Sequence, residues 1–176
     1  MNYMGVKQLV EYIRGDLHHC SRGGGRFSVI GCIIANPSFQ LCMLYRLTRF
    51  LHLHKWSIGA SILEWLQIVL FNCRISRFAA IGSDFGIAHP VSIVIGKARI
   101  GNGVTIWQNV TIGASGGVDK PASYPVILDD VKIYAGSVVV GKITVGAHSI
   151  VGALSFVNKD VAAHSIVAGV PAKRVG

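Results

Sequence analysis

Acidic side chains are scarce in this chain. Asp and Glu number 8 against 17 Lys and Arg, and charged residues make up only 14%. With a mean hydropathy of +0.51, so low a charge content excludes a disordered chain and leaves enough apolar surface for a sizeable core. Long apolar runs are also missing. The greasiest stretch, SIGASILEWLQIVLFN (57–72), contains Glu64 and falls short of the ~20 residues that span a bilayer, so it reads as a buried or subunit-contacting helix. No apolar leader follows Met1. The 4 cysteines (Cys20, Cys32, Cys42, Cys73) form neither a CxxC pair nor zinc spacing, so they read as free thiols in a reducing cytoplasm. No basic run is interleaved with aromatics, which argues against nucleic acid. The glycine-rich CSRGGGRF lacks the lysine of a phosphate-cradling loop.

The positive excess is uneven. Residues 1–80 carry nine basic and three acidic side chains, residues 81–176 eight and five. In the first part the apolar spacing is helical. Met43, Leu44, Leu47, Phe50 and Leu51 fall on one helix face with Arg46 and Arg49 off it. Ile58, Ile62, Trp65, Leu66 and Val69 make a second stripe, with Glu64 and Gln67 off it. Trp56, Lys55, Arg74 and Arg77 flank these helices, which suits peripheral contact with the inner face of a membrane.

Near residue 78 the helical stripe gives way to a period of six. Ile127, Ile133, Val139, Val145, Val151 and Val157 recur without a slip, and upstream come Ile81, Ile87, Ile93 and Ile100, Ile106, Ile112. Side chains six apart on a helix are rotated by ~120°, so no helix face carries such a series. A strict hexad predicts a parallel β-helix, each hexad one flat side with its aliphatic residue turned inward. The expected organisation is a helical region over 1–78 and a β-helix domain over 79–176. The period breaks at GASGGVDKPASYPV (113–126), and a loop ejected from so regular a solenoid reads as functional.

The hexads, the phrase IGSDFGIAHPVSIVIG (81–96) and the ending AGVPAKRVG (168–176) resemble the hexapeptide-repeat acyltransferases, in particular serine O-acetyltransferase and its relatives in polysaccharide gene clusters. The resemblance implies a mainly-β, left-handed parallel β-helix with an N-terminal helical region. It also implies a homotrimer, or a hexamer of two trimers, with active sites between neighbouring prisms. Acetyl-CoA is the implied co-substrate, and no metal is expected. The family's catalytic histidine falls on His89, eight residues after Ile81 and followed by IVIG. An imidazole there suits general-base transfer of a hydroxyl proton, worth ~10²–10⁴-fold. Small residues at Ala135 and Ala153 match the wall that takes pantetheine, and Lys159, Lys173 and Arg174 are candidate phosphate partners.

The departures bear on the acceptor. Serine O-acetyltransferases carry aspartate directly before the histidine and Arg-His-Pro in the ejected loop; this chain has Ala88 and Ser123-Tyr124-Pro125. Loss of both charge partners for an amino acid favours a sugar hydroxyl, bound by Tyr124, Ser123 and Trp107, as in a surface-polysaccharide precursor. L-Serine is the alternative acceptor, and a non-catalytic scaffold a further reading. Asp84 is one candidate for the acid that orients His89, and an acid of a neighbouring subunit such as Asp129 or Asp130 is another. A zinc hydrase on the same prism needs three converging histidines; His89, His148 and His164 are expected to lie too far apart.

Overall fold

The computed structural model describes residues 4–22, 29–115 and 123–175. Among the described residues four helices come first: α1 (Val6–Arg22), α2 (Val29–Ala35), α3 (Pro37–Leu53) and α4 (Ser57–Phe71). Asn36 caps α3 by accepting from the Phe39 N–H at 3.0 Å, with Pro37 in the first turn. Asn72, in the left-handed region at φ 51°, ends α4. Among the described residues no helix is long and apolar enough to cross a membrane.

The β-helix follows, in short strands grouped by coil. Coil one holds β1 (Arg74–Ile75), β2 (Ala80–Ile81) and β3 (Gly86–Ile87); coil two holds β4 (Val94–Ile95), β5 (Arg99–Ile100) and β6 (Thr105–Ile106). Coil three holds β7 (Thr111–Gly113), β8 (Val126–Ile127) and β9 (Lys132–Ile133), and coil four β10 (Val138–Val140), β11 (Thr144–Val145) and β12 (Ile150–Val151). The last coil has β13 (Phe156–Val157), a bridge at Val161 and β14 (Ile166–Ala168), closed by the antiparallel β15 (Lys173–Arg174). Three parallel sheets result. Face A is β1-β4-β7-β10-β13, face B β2-β5-β8-β11, and face C β3-β6-β9-β12-β14 with β15 at its edge. This is the expected left-handed β-helix with an N-terminal helical region. Its first strand, at Arg74, lies ahead of the change in sequence character near residue 78.

The hexad explains the shape. The inward residues Ile127, Ile133, Val139, Val145, Val151 and Val157 are all buried. Three positions beyond an inward residue the chain turns a corner in left-handed backbone, at Asp84, Gly103, Asn109, Asp130, Gly136, His148, Leu154 and His164. Glycine meets that demand at no cost at Gly103 and Gly136. One register differs from the sequence reading. Ile95, not Ile93, pairs with Ile75 and Ile112, while Ile93 is buried beside it. The step from Ile87 to Ile95 is therefore eight residues instead of six, and the surplus holds His89.

Both helix faces also differ from expectation. The buried side of α3 carries Leu41, Cys42, Tyr45, Arg46 and Thr48, and that of α4 Ala60, Glu64 and Gln67. Ile58, Ile62, Trp65 and Val69 are exposed. The cause is the open edge of coil one, whose backbone groups have no further coil to pair with. Arg46 donates to the Ile81 carbonyl at 2.7 Å and forms two bonds with Asp16 at 2.8 and 2.9 Å, while Asp16 accepts from the Phe85 N–H at 3.0 Å. The Tyr45 hydroxyl donates to the Ala79 carbonyl at 2.9 Å, and Gln67 accepts from the Ile75 N–H at 2.9 Å. Polar side chains go inside because the prism end requires them.

Candidate active site

His89 stands on the corner between faces C and A, exposed in the single chain. Its carbonyl accepts from the Val91 N–H at 2.9 Å, and Asn72 reaches Ser92 at 3.1 Å, which ties the surplus residues of this corner down on both sides. The register Ile87–Ile106–Ile133–Val151 puts the residues two positions further on into one row along the corner: His89, Gln108, Ala135 and Ala153. The histidine and the two alanines, 46 and 64 positions away in sequence, thus share one edge of the prism. Beside that row Trp107 stacks on Tyr134, with ring centroids 4.3 Å apart and planes at 22°. One face of Trp107 is thereby covered.

Ala135 and Ala153 present only methyl groups along this edge. Gln108 is a residue that neither the hexad nor the resemblance singles out; its Oε1 is buried without a hydrogen-bond partner among the described residues, an acceptor one coil from His89. The signal was its place two residues after Ile106, the position that His89 holds after Ile87. At the open end of the prism Lys159 and Arg174 line a cavity of about 200 Å³ together with Asp160. Lys173 lies on β15, exposed and outside that lining.

The remaining candidates lie elsewhere. Asp84 turns the opposite corner, between faces B and C, and its carboxylate sits 3.6 Å from His18 and 3.7 Å from His19 of α1. It serves the helix contact, so the expected pairing with His89 is corrected. Asp129 accepts from the Asn102 N–H at 2.7 Å, and Asp130 lies 3.6 Å from His148; both stay on that same corner. Among the described residues no carboxylate comes within ion-pair distance of His89. His148 and His164 are neighbours, stacked 4.9 Å apart, closer than expected, yet His89 is on another edge and no described group of three ligands could hold a metal.

Tyr124 and Ser123 belong to the corner between faces A and B. Ser123 bridges to Ser115; residues 116–122 of the ejected loop lie outside the described residues. The Tyr124 ring lies so close over Gly96 that any side chain there would run into it. Below it opens a cavity of about 290 Å³ lined by Arg74, Arg77, Lys97, Glu64 and Tyr124. His89 and Tyr124 therefore stand at opposite edges of face A, roughly 15–20 Å apart at ~3.3 Å per extended residue.

No protein-family model matches the chain. Serine acetyltransferase of Bacillus pumilus is 35% identical over 149 residues, which is 84% of this chain and 68% of that protein. The Bacillus subtilis enzyme of the same name is 37% identical over 144 residues, 81% of this chain and 66% of its own length. Among solved structures, Neisseria gonorrhoeae serine acetyltransferase superimposes with a TM-score of 0.90 at 28% identity, covering 98% of this chain and 68% of that one. A serine acetyltransferase complex with CoA gives 0.87 at 27% identity, covering 98% and 72%. The chain thus spans about two thirds of the length of these relatives.

Proposed function

The chain belongs to the serine acetyltransferase family, and from that premise we propose that it transfers an acetyl group from acetyl-CoA to the side-chain hydroxyl of L-serine. That it is an acetyl-CoA-dependent acetyltransferase follows from the relatives and the CoA-bound neighbour. The row of His89 with Ala135 and Ala153 along one prism edge supports the chemistry. As the hydroxyl oxygen attacks the thioester carbon, the His89 imidazole takes its proton; the C–S bond breaks and the thiolate recovers that proton. No covalent enzyme intermediate is needed.

We further propose that the protein works as a trimer. Base and loop occupy opposite edges of one prism, too far apart to hold one small acceptor, so a neighbouring prism must supply the missing half. The exposure of His89 in the single chain agrees with a site closed by a partner. Sedimentation showing a single chain would count against it.

A sugar hydroxyl of a surface-polysaccharide precursor is the second reading, favoured by Ala88 and Tyr124, where the resemblance calls for aspartate and histidine. The names of the relatives favour serine. Release of CoA thiol, followed with L-serine and with a panel of nucleotide sugars, separates the two. Turnover with L-serine alone is the expected result; turnover only with a sugar overturns it.

A further inference from the structure

The cavity beneath Tyr124 carries more positive charge than its structure needs. Arg77 is fully engaged: it grips Glu64 Oε2 at 2.7 and 2.6 Å and donates to Ser61 Oγ at 3.0 Å. That contact gives Glu64, whose side chain is only 8% exposed, one close cationic partner. Arg74 is left with a 3.5 Å approach to the same carboxylate, and its side chain is 62% exposed. Lys97 is exposed, with Nζ 5.0 Å above the Phe78 ring, and meets no carboxylate among the described residues. Two cations thus face a cavity of about 290 Å³, floored by Gly96 and walled by an aromatic ring. A guanidinium with free N–H groups matches a carboxylate in both charge and shape.

We propose that this cavity is a carboxylate subsite for the acetyl acceptor, held by Arg74 and Lys97 in place of the arginine missing from the ejected loop. The inference rests on acetyl transfer being the reaction, and it deepens that reading by stating that the acceptor is an acid. It removes the objection that this chain has no partner for an amino acid's carboxylate. A uronic acid presents the same group, so the subsite admits either source and excludes neutral acceptors.

The test is thiol release by the full chain with two matched pairs: L-serine against serinol, and glucuronate against glucose. One acid is turned over and its neutral counterpart is not. Arg74→Gln and Lys97→Gln each raise KM for that acid by about tenfold or more, the value of a charged hydrogen bond. Neither changes KM for acetyl-CoA or the melting temperature, since Arg77 keeps Glu64 paired. Turnover of glucuronate but not L-serine keeps the subsite and overturns the serine acceptor. Equal turnover of acid and neutral partner, or an unchanged KM for the acid in both variants, overturns the subsite. Should no acceptor react, calorimetric titration with L-serine and glucuronate decides: binding abolished by Arg74→Gln supports the subsite, and no binding of either acid overturns it.

Discussion

The two parts of this molecule use opposite rules. In the prism, aliphatic residues such as Ile133 and Val139 go inside and lysines such as Lys132 stay out. In the helical part Arg46, Asp16, Glu64 and Gln67 go inside, while Ile58, Ile62 and Trp65 stay out. The difference lies in what each part packs against. An inner coil finds its backbone partners in the coils above and below, so its side chains need only fill volume. The first coil has an unpaired lower edge, and the helices cover it with side chains that can donate and accept. Where a solenoid ends, the cap is chosen for hydrogen bonding before hydrophobicity.

The sharpest break of this contrast is at Arg46. Arg46→Met removes one half of a buried pair and leaves Asp16 and the carbonyls of Ile81 and Gly82 unmatched, which should cost about 3–5 kcal/mol. Chemical denaturation would read the loss, and proteolysis would show whether the helices detach first. Adding Asp16→Leu should recover much of that loss, because an apolar pair of similar volume often equals a buried ionic one. A single variant as stable as the parent would mean that the edge finds other partners. In the prism the matching change is Ile133→Ala, expected to cost about 2–5 kcal/mol through lost contacts and the cavity left behind. There no charge is stranded, so no second substitution of the polar kind should rescue it.

This contrast also explains what the sequence disclosed. The hexads are legible because each inward residue repeats the same task, and repetition at a fixed spacing survives single-residue noise. Even so, Ile93 imitated the rhythm and hid the eight-residue step that makes room for His89. The faces of α3 and α4 escape apolar periodicity because it assumes an apolar partner, whereas α3 meets backbone carbonyls of coil one and α4 meets the Ile75 N–H and the Arg74 and Arg77 side chains. At the site, His89, Ala135 and Ala153 could be placed by resemblance and prove to share an edge. Arg74 and Lys97 could not, since they come together only when coils one and two stack.

A subtler probe of the cap is pH. Burial pushes the Tyr45 hydroxyl up to about 12, against the pull of Arg46 and Arg49. Below pH 10 folded and unfolded chains both hold this proton. Above it the unfolded chain releases its proton first, so stability falls as pH rises from 10 to about 12, by about 3 kcal/mol at most. Burial also raises the Cys42 thiol, which adds a slope of the same sign beginning near its ordinary range. Tyr45→Phe should flatten the upper part of the profile and leave the Cys42 part in place. Denaturation midpoints taken at several pH values above 9 would show it; an unchanged profile would place the tyrosine proton in the same state in both forms.

The smallest effect is expected where the sequence looked most hydrophobic. Trp65 is 59% exposed on α4 and Ile62 53%. If the cap is held by its polar side, replacing either with glutamate should alter the stability of a single chain by no more than about 0.5 kcal/mol, as for surface positions generally. The same substitutions in the assembled protein ask a different question, because an apolar face that a partner covers cannot accept a charge cheaply. Melting and sedimentation should therefore be measured together on Trp65→Glu. Unchanged stability with unchanged mass means that the face stays in water. A stability loss that grows on dilution, with a fall in mass, means that the helices close a second interface with the face they turn away from the prism.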